Sequence, residues 1–121
     1  MPVKTILVVE DSPTERHVIG TFLVRQGYKV LTAENGEQAV TQARKHKPDL
    51  ILMDVVMPGV NGYQATRELA RDEATSDIPI ILCTSKDQET DRIWGMRQGA
   101  YAYLAKPFDH TTLLEKIQTL P

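Results

Sequence analysis

Short apolar runs alternate with longer amphipathic stretches five times along this chain, and that rhythm restricts the fold more than any other feature. Ile6 to Val9 is apolar at every position, so Thr5–Val9 reads as a strand covered on both faces. Further strands are expected at 30–33, 50–53, 80–83 and 102–105. The intervening stretches read as helices. Ser12 is a good N-cap, Pro13 suits the first helical position, and Glu15 completes a capping box. Val18, Ile19, Phe22 and Leu23 form the core stripe of that helix, and Gly27 ends it. A second helix spans 37–46, with Ala39, Val40 and Ala43 inward and Pro48 as its stop. A third spans 63–71 with Leu69 and Ala70 inward, and a fourth spans 88–98, closed by Gly99. Asp109 caps a fifth that turns Leu113, Leu114 and Ile117 inward. Such alternation implies a single doubly wound α/β domain, a parallel sheet with helices on both faces.

The length of 121 residues suits one domain. A net charge of −2 argues against a general nucleic-acid binder, which carries a basic excess. No apolar stretch reaches the ~18 residues of a membrane span, and Met1 to Val9 lacks the pattern of a secretion signal. The one cysteine, Cys83, lies within an apolar run and reads as a small buried hydrophobe. It has no internal disulfide partner, which fits a cytoplasmic setting.

In sheets of this kind the working site lies beyond the carboxyl ends of the strands. There the chain places Glu10-Asp11, Asp54, Thr84-Ser85 and Lys106-Pro107. Three acids on one rim repel one another, so either their pKa values rise or a cation sits among them. Mg²⁺ suits such a set, because it takes oxygen ligands and binds through one or two carboxylates plus phosphate oxygens. A carboxylate can attack phosphorus to form an aspartyl phosphate, and phosphoryl transfer is largely positioning and charge neutralisation. Lys106 offers the charge, Thr84 offers a hydroxyl, and Pro107 is placed to aim the lysine.

Glu10-Asp11, Asp54 with Met57-Pro58-Gly59, Thr84 and Lys106-Pro107-Phe108 together resemble the receiver domain of two-component response regulators. The resemblance covers essentially the whole chain, residues 1–121, with no output domain after the fifth helix. It implies a flavodoxin-like sheet of order 2-1-3-4-5. It also implies transfer of a phosphoryl group from a histidine kinase to Asp54 with Mg²⁺. By the same resemblance, Asp11, Asp54 and the backbone carbonyl of Val56 ligate the metal, and Glu10 acts through a metal-bound water. Family members often carry Asp where Glu10 stands. Thr84 and Lys106 hold the phosphoryl oxygens, supported by Ser85 and Pro107. Tyr103 stands at the position of the switch aromatic, which turns inward as the Thr moves toward phosphate. Arg92, Met96 and Tyr101 fall on the fourth-helix, fifth-strand face used for a downstream protein partner, and Val56 and Lys86 flank the path of attacking water. The stretch "KDQETDRIWGMRQGA" is similar to regulators of twitching motility and phototaxis through type IV pili. The family includes monomers and weak dimers.

Blander readings apply to several residues. Trp94 is expected to pack along its own helix rather than anchor a partner. His17, His46 and His110 show no ligand spacing and read as surface residues. Two rival functions are an aspartyl-phosphate-forming phosphatase and a flavin-binding protein. A DxD phosphatase places a second acid two residues after its nucleophile, where this chain has Val56. A flavin phosphate would be repelled by Glu10-Asp11 in the first loop. A regulator that merely drains phosphate from a shared kinase is a variant of the receiver reading.

Overall fold

The computed structural model describes residues 3–120. Its elements run β1 (Thr5–Val9), α1 (Pro13–Arg25), β2 (Lys29–Ala33), α2 (Gly36–His46), β3 (Leu50–Met53), α3 (Gly62–Arg71), β4 (Ile80–Thr84), α4 (Glu89–Arg97), β5 (Ala102–Ala105) and α5 (His110–Gln118). The strands form one parallel sheet in the order β2-β1-β3-β4-β5. This is the predicted architecture and order, with some element ends displaced by one residue.

Successive strand residues point to opposite faces, and the core accordingly divides in two. Leu7, Val9, Ile51, Met53, Ile80 and Leu82 face one side, with Ala39 and Ala43 of α2 and Ala65 and Leu69 of α3. Ile6, Val8, Leu50, Leu52, Ile81 and Cys83 face the other, with Leu23 of α1 and Leu113 and Ile117 of α5. Each fully buried Leu or Ile contributes about 1.5–3 kcal/mol relative to exposure. The apolar runs have no polar alternation because both faces are covered.

Helix starts follow local chemistry. The Asn35 side chain accepts from the Gln38 N–H at 2.9 Å. Asn61 and Gln64 form a reciprocal capping box, with bonds of 2.9 and 3.0 Å. The Asp109 carboxylate accepts from the Thr112 N–H at 2.7 Å. The box expected at Ser12 is only half made. Ser12 Oγ accepts from the Glu15 N–H at 3.3 Å, but the Glu15 carboxylate reaches Lys106 instead. One inward assignment also needs correcting. Val18 is 48% exposed, because the stripe of α1 that meets the sheet is Ile19, Phe22 and Leu23. Trp94, expected to pack along its own helix, is 50% exposed, because α4 approaches the sheet through Gly95.

Candidate functional site

The site is set by strand register. Val9 pairs with Ala33 on one side and with Met53 on the other. The residues that follow, Glu10 and Asp54, therefore leave the sheet at one level. The Asp54 N–H donates to the Val9 carbonyl at 3.0 Å. Thr84 pairs with Ala105, and the Lys106 N–H donates to the Thr84 carbonyl at 2.7 Å. β2 lies outside β1, so the rim between β1 and β3 is the switch point of the winding, where such sheets bind ligands.

Glu10, Asp11 and Asp54 converge there, with one carboxylate oxygen from each lying within 4.8 Å of the others. Glu10 and Asp54 are buried and Asp11 is exposed. The Val55 N–H donates to Asp54 Oδ1 at 2.8 Å, which leaves Oδ2 toward Lys106 Nζ at 3.8 Å. α3 closes in behind the acid. A Cβ on Gly62 would collide with the Asp54 carbonyl oxygen, so only glycine allows that approach.

Lys106 is the positive counterpart. Its ammonium lies 3.5 Å from Glu10 Oε2 and 3.3 Å from Glu15 Oε2. Burial works against its charge, but Asp54, Glu10 and Glu15 outweigh that and hold it above its ordinary value. Burial is also the main force on Glu10, aided by the carboxyls of Glu15 and Asp54, and pushes it up to about 9. Glu15 is held below the usual carboxylate range, first by its hydrogen bond with Glu10. The Lys106-Pro107 peptide bond is cis.

Thr84 is fully buried as a residue, and its Oγ1 accepts from the Lys86 N–H at 3.3 Å. Ser85 is exposed and lines a groove with Lys106, Pro107 and Phe108. Tyr103 is half-buried and donates from its hydroxyl to the Lys86 carbonyl at 2.7 Å. The loop after Thr84 and the aromatic are thereby tied together. The Tyr63 hydroxyl lies 3.4 Å from that of Tyr103 and donates to the Asp91 carbonyl at 3.1 Å. Sequence reasoning missed Tyr63, and it read Glu15 only as a cap. The place of Glu15 in the first turn after the acid pair was the available signal.

Arg92, Met96 and Tyr101 are exposed, together with Ile93 and Trp94. Arg92 pairs with Glu89. The Tyr101 hydroxyl donates to the Thr119 carbonyl of the segment after α5 at 3.2 Å. His17, His46 and His110 are exposed, and His110 stacks on Phe22 with ring centroids 4.2 Å apart. Cys83 is buried and its thiol is pushed up to about 12 by that burial. None of the described helices is long and apolar enough to cross a membrane.

The fold and the acidic rim define a class, and the sequence matches it. Residues 6–118 match the family model of the response regulator receiver domain, and the chain belongs to that family. It is 56% identical over 115 residues to Protein PilH of Pseudomonas aeruginosa, covering 95% of each chain. It is 43% identical to the phosphate regulon transcriptional regulatory protein PhoB of the same organism, where it spans 51% of that protein's length. Among solved structures, it resembles the chemotaxis protein CheY4 of Vibrio cholerae at a TM-score of 0.92 and 30% identity, covering 98% of this chain and 99% of that one. It also resembles the receiver domain of sensor histidine kinase PA1611 from Pseudomonas aeruginosa at a TM-score of 0.89 and 38% identity, covering 97% of this chain and 96% of that one. That structure holds a magnesium ion in its active-site cleft.

Proposed function

We propose that this chain is a phosphoacceptor switch in which Asp54 receives a phosphoryl group from a histidine kinase. The observation that carries the reading is Asp54 itself. It is a buried carboxylate at the switch point of the sheet, with two further acids beside it and Lys106 facing it. A carboxylate oxygen of Asp54 attacks phosphorus as the bond from phosphorus to the histidine nitrogen breaks. The electron pair of that bond stays on the departing imidazole. Lys106 and Thr84 then hold phosphoryl oxygens, with Ser85 and Pro107 beside them.

The donor set fits Mg²⁺. All its side-chain atoms are carboxylate oxygens, and among the described residues no donor bonds the Val56 carbonyl. Asp11, Asp54 and that carbonyl would hold the ion, and Glu10 would act through a water. The ion supplies neutralising charge to the transferring group. A phosphatase role is disfavoured by Val56, which has no acid to activate water.

Phosphorylation adds about −1.5 to −2 charge beside Thr84 and Lys106. Tyr103, bonded to the Lys86 carbonyl, links that change to α4 and β5. The exposed residues Arg92, Met96 and Tyr101 then serve a downstream protein. The likeness to Protein PilH supports a place in type IV pilus motility signalling. The lone buried thiol, with no second cysteine to pair with, supports a cytoplasmic setting.

Incubation with acetyl phosphate, followed by intact-mass measurement, tests the reading. One phosphoryl adduct is expected, requiring Mg²⁺ and absent in Asp54→Asn. An adduct that persists at the wild-type rate in Asp54→Asn would overturn the assignment.

A further inference from the structure

Lys106 makes its shortest carboxylate contact with a residue outside the acidic rim. Glu15 Oε2 lies 3.3 Å from the ammonium, against 3.5 Å for Glu10 and 3.8 Å for Asp54. Glu15 comes from the first turn of α1, 91 positions earlier in the chain. Its side chain does not close the capping box that Ser12 offers; it points across the rim instead. The Lys106 side chain is 16% exposed and that of Glu15 is 49% exposed, so Glu15 stands on the solvent side of the lysine. A donor reaching Asp54 from solvent would meet this pair if it entered over Lys106.

We propose that Glu15 is a positioning residue that competes with the incoming phosphoryl group for Lys106 and thereby slows phosphorylation of Asp54. The inference rests on the phosphoacceptor reading of Asp54. Two effects act in the same direction. The Lys106 ammonium must leave or share Glu15 before it can neutralise phosphoryl oxygens. A further carboxylate beside the path also repels an anionic donor. Glu15 is half-exposed, so the pair's effect is modest and is weakened by salt. The acid pair and Asp54 define whether transfer occurs, whereas Glu15 sets how readily Lys106 is released for it.

The test uses the full chain with Glu15→Gln, which keeps the shape and loses the charge, and Glu15→Asp, which keeps the charge and loses the reach. Asp54 phosphorylation by acetyl phosphate with saturating Mg²⁺ is followed by intact mass. Separately, without Mg²⁺ or donor, Lys106 acylation by a water-soluble N-hydroxysuccinimide ester is followed by peptide mass spectrometry. Both variants are expected to be phosphorylated about two- to fivefold faster at low salt, with the gain shrinking as salt rises. Both should also acylate faster at Lys106. Unchanged acylation in both variants overturns the Glu15–Lys106 contact. Faster acylation with unchanged phosphorylation overturns the competition. A wild-type rate in Glu15→Asp shows that charge near α1, and not reach to Lys106, is responsible, and overturns the positioning role. If the wild type accepts no phosphoryl group, the phosphoacceptor reading fails and the competition fails with it; the acylation assay still reports on the contact alone.

Discussion

At the rim, one ammonium is shared among the carboxyl groups of Glu10, Glu15 and Asp54, and that crowding governs what the residues do. Glu10 is 3% exposed and Asp54 8%, so neither is fully relieved by water. A divalent cation would relieve both. Mg²⁺ is therefore expected to stabilise the fold by about 2.7 kcal/mol at a hundredfold excess over its Kd, read as a rise in melting temperature, because it binds the folded rim and not the unfolded chain. Asp11→Asn should lose most of that response. A flat melting curve across a Mg²⁺ titration of the wild type would remove these acids as a cation site. Cys83 illustrates the opposite case, a titratable group without work to do. Its pKa is raised to about 12 by burial, so the nucleophilic thiolate is not populated at ordinary pH. Alkylation by iodoacetamide at pH 8 should need prior unfolding. Rapid modification of the native protein would contradict the buried placement.

Among the elements, α4 is the one whose packing the sequence least reveals. Gly95 lies in its middle, where glycine costs about 1 kcal/mol relative to alanine. The reason is space. A Cβ there would stand 2.9 Å from Leu82 Cδ1 and 3.1 Å from the Tyr103 ring. The ring occupies the volume that a side chain on α4 would take, and its hydroxyl reaches the Lys86 carbonyl. Gly95→Ala gains helix propensity but overpacks a filled gap, which costs about 1–3 kcal/mol. A net loss of up to about 2 kcal/mol in urea unfolding is expected. A gain of about 1 kcal/mol would show that the gap has room. The same packing explains Trp94. With Gly95 facing the sheet, its neighbour in sequence is turned toward solvent. By contrast, the strands and the helix starts at Ser12 and Asp109 were legible, because apolar runs and cap residues act over a few positions.

Across the whole molecule, a chain of hydrogen bonds connects the end of β4 to β5 and α4. It runs through Thr84, the Lys86 segment and Tyr103 to α4, with Tyr63 bonded to the Asp91 carbonyl. Trp94, exposed on α4, is a natural reporter. Phosphorylation is expected to change its fluorescence, and phosphorylated Thr84→Ala should show little of that change. An equal change in the Thr84→Ala protein would separate the threonine from the switch.

The order of strands and helices, and the arrival of Glu10, Asp11, Asp54, Thr84 and Lys106 at strand ends, follow from the sequence alone. Strand periodicity and turn position are local, and right-handed crossovers leave few ways to arrange the strands. Tertiary structure decided the partner of Glu15, the exposure of Val18 and Trp94, and the contact of Tyr103 with Lys86. Each of those depends on which surface a helix turns toward the sheet, or on how far a long side chain reaches toward a residue distant in the chain. Neither is encoded in the few neighbouring positions that make a helix or a strand.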